Sequence, residues 1–92
     1  MKFDWNDDKN ELLKATRGIS FEEVVEAISN DKLLDVLAGT EKYPHQRRFV
    51  LNIKNYACIA PFYYDEDSDT CHLITIMRDR KFKYLIEKNH EQ

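Results

Sequence analysis

The sequence predicts an α+β domain in which an antiparallel β-meander packs against helices in the order β-α-α-β-β-β-β-α. Three observations carry that prediction. Two helix-like segments with clear start and stop signals occupy the first third of the chain. Apolar residues alternate with polar ones through much of the remainder. Turn-forming dipeptides separate the alternating runs closely enough for hairpins, which joins neighbouring strands antiparallel.

In chain order, Phe3-Asp4-Trp5 alternates and reads as a short strand. Asn6 or Asp7 caps a helix running to about Arg17, with Leu12 and Leu13 expected to face inward and Gly18 as the left-handed stop. Ser20 and Glu23 then form a capping box, with Ile19 and Val24 at the staple positions. Phe21, Val24, Val25 and Ile28 make the apolar stripe of a second helix ending near Asn30. Leu33 to Ala38 reads as a strand, followed by a loop holding Gly39, Pro44 and His45. Arg48 to Ile53 alternates, with Phe49, Leu51 and Ile53 on one face. Lys54-Asn55 is a two-residue turn, because Asn tolerates positive φ. Tyr56 to Tyr63 is its partner strand, where Pro61 points to an edge, a bulge or an early end. Asp65 to Asp69 is a polar turn, His72 to Met77 the last strand, and Arg78 to about Lys88 a closing helix with Phe82, Leu85 and Ile86 inward.

At 92 residues the chain is read as one domain, 1–92, with apolar content sufficient for one core. No apolar run approaches the roughly 18 residues of a membrane span. The start is acidic from Asp4 onward, unlike a signal peptide. Cys58 and Cys71 sit in apolar stretches and read as reduced thiols. The expected setting is therefore the cytoplasm, with no membrane partner.

Charge is unevenly distributed. Residues 1–40 hold five Lys/Arg against nine Asp/Glu, a balance of −4, and residues 41–92 hold nine against eight, a balance of +1. Asp65, Glu66, Asp67 and Asp69 crowd one turn, leaving Arg47, Arg48, Arg78, Arg80, Lys81 and Lys83 as two basic groups on a chain of net charge −3. A strand start and another strand's end at one sheet edge would bring these groups together, with Arg17 joining them. Guanidinium forks there would hold RNA phosphate and stabilise charge on a scissile phosphate, and Tyr84 would exchange a proton. The competing reading is a solubilising rim. His45, His72 and His90 lack metal-ligand spacing, and Asp65 to Asp69 lacks the glycine and distal glutamate of a calcium loop, so no cofactor is expected.

The opening segment, Phe3-Asp4-Trp5-Asn6, Lys9 and then Lys14-Ala15-Thr16-Arg17-Gly18-Ile19-Ser20-Phe21-Glu22-Glu23, resembles that of the BrnT-type toxins. Their pattern runs close to F-x-W-D-x-x-K-x-x-x-N-x-x-K-H-G-I-S-F-E-E, and their arginine-lysine pair after the last strand is matched by Arg80-Lys81. The resemblance implies a RelE-like fold, a metal-independent endoribonuclease that halts translation and can act at the ribosome, and neutralisation by a ribbon-helix-helix antitoxin, in a complex that can hold the toxin as a dimer. Under that reading Arg17, Arg48, Arg80 and Lys81 bind or stabilise phosphate, and Tyr84 or His45 assists proton transfer. Arg17 stands where the family pattern has histidine; it keeps the positive charge and is a poor proton shuttle. The alternative is a non-catalytic BrnT-like module that pairs with an antitoxin or repressor, with Tyr43, Tyr63 and Tyr64 as docking aromatics.

Overall fold

A computed structural model describes residues 1–90. It contains β1 (Lys2–Asp4), α1 (Asp7–Arg17), α2 (Phe21–Ser29), β2 (Leu33–Leu37), β3 (Arg47–Ile53), β4 (Tyr56–Asp65), β5 (Thr70–Leu73), β6 (Met77–Arg78), a 3₁₀ turn (Arg80–Phe82) and α3 (Lys83–His90). The architecture is α+β, three helices on a six-stranded sheet of order β1-β5-β4-β3-β2, with β6 beside β4.

The local signals act where they stand. The Asn6 side chain accepts from the Lys9 amide, and Gly18 closes α1 at φ 63°. Ser20 and Glu23 form both bonds of the capping box. Lys54 and Asn55 both adopt positive φ, 55° and 67°, the geometry of a type I′ hairpin whose twist matches its strands. Strands β2 to β5 form the expected antiparallel meander.

Tertiary context decides the rest. β1 pairs with β5 in parallel, Phe3 beside Cys71, so the sheet is mixed. Leu13 is buried, whereas Leu12 is 53% exposed and lies outside the core, because one 100° step along the helix carries it off the inward stripe. The run from His72 to Met77 is not one strand. β5 ends at Leu73 and β6 begins at Met77, and between them Ile76 turns fully into the core. Pro61 is buried in β4, the centre of the sheet. Its carbonyl accepts from the Ile74 amide at 3.0 Å, and a residue's N and O face the same neighbour in a strand, so the donor proline lacks falls at the break between β5 and β6. The closing helix starts at Lys83 rather than Arg78, because Arg78 pairs with Cys58 and the Asp79 amide donates to the Ala57 carbonyl. Asp79 then caps the 3₁₀ turn through the Lys81 amide.

The core forms between α1/α2 and one face of the sheet: Leu13, Phe21 and Val24 against Phe49, Leu51, Cys58, Ala60, Phe62 and Leu73. On the other face Val50 and its partner Ile59 are buried, and α3 packs against β4.

Buried Asn10 ties the two helices together. Its Nδ2 donates to Glu22 Oε1 at 2.5 Å and its Oδ1 accepts from the Phe21 amide at 2.8 Å. The hydrogen bond from the Asn10 amide, more than any other contact, holds the Glu22 carboxyl below its usual range. Asn10→Ala orphans the buried Phe21 amide and is expected to cost about 1–3 kcal/mol in urea unfolding. A lowered carboxyl contributes stability above its unfolded value and loses it as pH falls through the folded one. Replacing Asn10 should therefore also flatten the acid limb of the stability profile; an unchanged limb would remove Glu22 from this account.

Candidate functional site

The Lys54-Asn55 turn, the start of β4 and the chain leaving β6 meet at one end of the sheet. They enclose a cleft of about 640 Å³ lined by Lys54, Asn55, Tyr56, Ala57, Arg78, Arg80 and Lys83. Each cation reaches it for a local reason. Lys54 sits in the left-handed hairpin turn. Register places Arg78 across from Cys58, two residues past Tyr56, and its guanidinium lies over the Tyr56 ring at 5.1 Å. Arg80 opens the capped 3₁₀ turn, and Lys83 is the first residue of α3.

Among the described residues, no carboxylate lines this cleft. Lys54 Nζ shares Glu23 Oε2 at 3.5 Å on one side, and Lys83 Nζ stands 3.9 Å from Glu87 Oε1. Among the described residues, Arg78 and Arg80 have no carboxylate within 4.0 Å. Their charge is available to an incoming anion. On the far side of Lys54 a second cleft carries Glu23 and Glu26, whose charge opposes an anion there. The basic cleft therefore has a defined polarity.

The residues expected from the sequence to form one site are dispersed. Arg80 lines the cleft. Lys81, next along the chain, is exposed, with Nζ 3.9 Å from Asp79 Oδ2. Tyr84 is 58% exposed on the first turn of α3, one residue beyond Lys83. Arg17 closes α1 and donates from Nη1 to the Ile76 carbonyl at 2.5 Å, so it ties α1 to the segment before β6. Arg48 pairs with Pro61 whereas Arg78 pairs with Cys58, three positions apart on β4, about 10 Å along the strand. An odd offset also places their side chains on opposite faces. The two basic groups do not share an edge. His45 is exposed in the loop between β2 and β3.

Lys54 and Tyr56 were not anticipated as site residues, and Arg78 and Lys83 only as members of a basic group. The available signal was the hairpin turn: its residues sit at the end of β4 that β6 flanks. Reading it required the β4–β6 register. His72 is better placed than its isolation in sequence implied, with Nδ1 3.5 Å from Asp4 Oδ2 and its ring stacked on Tyr63, centroids 4.6 Å apart. That pair fastens β1 to the sheet at a position remote from the cleft. The His90 side chain lies outside the described residues.

Cys58 lies beneath the cleft, fully buried. Burial pushes its thiol up to about 11, with Arg78 drawing it down and Glu23 raising it. The thiolate is the nucleophile, so Cys58 should resist iodoacetamide near neutral pH in the folded chain and react once the chain is unfolded in urea. Alkylation at equal rates in both states would show that the strand opens. Among the described residues no helix is long and apolar enough to cross a membrane, and no three His, Cys, Asp or Glu side chains are grouped to hold a metal ion.

Compared with known proteins, the chain matches no protein-family model, no curated protein and no solved structure.

Proposed function

We propose that this chain is a BrnT-type toxin that cleaves RNA, with the cleft at Lys54, Arg78, Arg80 and Lys83 as its phosphate site. The observation that carries the reading is the convergence of four cations on a cleft that, among the described residues, has no carboxylate in its lining. The opening segment and the order of elements support the family placement. In this reading the partner is a ribbon-helix-helix antitoxin, the setting is the cytoplasm, and the substrate is RNA.

The chemistry follows from what these side chains offer. The RNA 2′-hydroxyl gives up its proton to water and attacks the adjacent phosphorus, and the bond to the 5′-oxygen breaks as that oxygen takes a proton from a phenol that water then reprotonates. The products are a 2′,3′-cyclic phosphate and a 5′-hydroxyl end. Arg78 and Arg80 bind the non-bridging oxygens and stabilise the charge that builds on them. Tyr56 and Tyr84 are equally exposed, and Tyr56 is the one that lines the cleft, so it takes the proton-donor role ahead of Tyr84 and distant His45. Arg17 and Arg48 act outside the phosphate site.

Induced expression in a bacterial host tests this directly. Wild type is expected to arrest growth and leave RNA fragments with cyclic phosphate ends, and Arg78→Ala/Arg80→Ala is expected to do neither. Equal arrest and cleavage by both proteins would reject the site. A second reading, a non-catalytic module that binds RNA or its antitoxin without cutting, is favoured by one specific observation: among the described residues, neither an imidazole nor a carboxylate lines the cleft to act as base. RNA retained intact by the purified chain, together with co-purification of a ribbon-helix-helix protein encoded beside it, would select that reading.

A further inference from the structure

On the face of the sheet opposite α1 and α2, a separate groove of about 340 Å³ runs between the β2–β3 loop and the crossover from β5 to β6. Its volume falls within the roughly 300–1,000 Å³ of small-ligand pockets. Pro61, Ile74 and Met77 form an apolar wall, and Arg48 brings a charge to it. The guanidinium spends one donor, Nη2, on the Ala38 carbonyl at 3.0 Å. Its Nε is sealed from solvent and has no hydrogen-bond partner among the described residues. Glu41, the carboxylate of the flanking loop, makes no ion pair with it, and among the described residues neither does any other acid. With one hydrogen bond and no ion pair among the described residues, the guanidinium keeps charge for a ligand oxygen at the groove.

The groove is also held in shape without a ligand. Thr40 Oγ1 accepts from the Tyr43 amide at 3.2 Å, the Tyr43 carbonyl accepts from the Gln46 amide at 3.2 Å, and Arg48 itself holds Ala38. A Cβ at Gly39 would fall on the Pro44 carbonyl, so the loop doubles back closely enough to require glycine there. Binding in a preformed groove spends little on ordering.

We propose that this groove binds a small monocarboxylic acid, its carboxylate on Arg48 and its apolar body against Pro61, Ile74 and Met77. One lining cation neutralises one negative charge. A phosphate dianion would leave excess charge against an apolar wall, where dehydration is costly. This site is independent of the RNA reading, because Arg48 and the basic cleft lie on different faces and at different heights of the sheet.

The test is a titration of the purified full chain with hexanoate and benzoate, followed by NMR at the Arg48 Nε–H and the Met77 methyl. Hexanamide, benzamide and inorganic phosphate at matched ionic strength serve as controls. Saturable shifts with a Kd of about 1 mM or below are expected for the acids alone. Arg48→Gln should weaken them at least about tenfold. Gln46→Glu, an isosteric change in the lining that leaves Arg48 in place, should weaken them by like-charge repulsion while the chain stays folded. No saturation by about 50 mM, equal shifts from the amides, or equal shifts from phosphate would each overturn the proposal. So would an RNA oligonucleotide that displaces hexanoate from Arg48, which would reassign the groove to RNA.

Discussion

Arg78→Ala/Arg80→Ala is expected, under the proposed RNA reading, to weaken RNA binding by about 10- to 100-fold at moderate salt, with the fold unchanged. Hydrogen bonds to charged groups contribute about 1.5–3 kcal/mol each, and the exposure of both arginines places them at the low end. The salt dependence is the sharper readout. Each phosphate contact on a single strand contributes about 0.7 to the slope of log K against log salt, so losing two should lower that slope by about 1.4. Arg47→Ala/Arg48→Ala removes the same formal charge from the other basic group and is the necessary control. Arg47 stands across from Phe62 with its guanidinium 5.6 Å from that ring, and Arg48 is turned to the opposite face. Removing this pair should leave most of the slope intact. Equal losses from both pairs would mean that RNA responds to net charge rather than to the cleft.

Phe21→Ala is expected to destabilise the chain by about 3–5 kcal/mol, the usual cost of emptying a buried aromatic site. Phe21 is fully buried at the first position of α2, and its ring stacks on Trp5 with centroids 5.7 Å apart. The substitution therefore loosens α2, the β1–α1 junction and the sheet core together. Against a total stability of about 5–15 kcal/mol for a small domain, it should leave the protein marginal at 37 °C. Urea or thermal unfolding followed by circular dichroism measures it. Leu12→Ala, which truncates a smaller apolar side chain at an exposed position, should stay within about 0.5 kcal/mol. Comparable losses from the two would contradict the inward stripe assigned to these helices.

The contrast between Leu12 and Phe21 shows where sequence reading reached and where it stopped. Ser20, Glu23, Gly18, Asn6 and the Lys54-Asn55 turn were legible because each acts on backbone within about four residues of itself. Such effects depend on no distant partner. Alternation along β3 likewise identified Phe49, Leu51 and Ile53 as one face, since successive side chains in a strand point to opposite sides. Hairpin spacing was enough to predict the meander from β2 to β5.

The candidate site required more. That Arg78 stands over Tyr56, that Arg48 belongs to another face, and that β1 lies parallel beside β5 all depend on register between segments remote in sequence. A shift of one residue in β6 would turn Arg78 to the other face and remove it from the cleft. Pro61 shows the same limit. Its ring disfavours a central strand, and it is accommodated because its missing donor coincides with the break before Ile76 enters the core. The sequence by itself determined the ends of α1 and α2, the Lys54-Asn55 turn and the inward face of β3, because these are set by contacts between neighbours along the chain. Only the tertiary structure decided which cations meet, because that is set by how six strands align side by side.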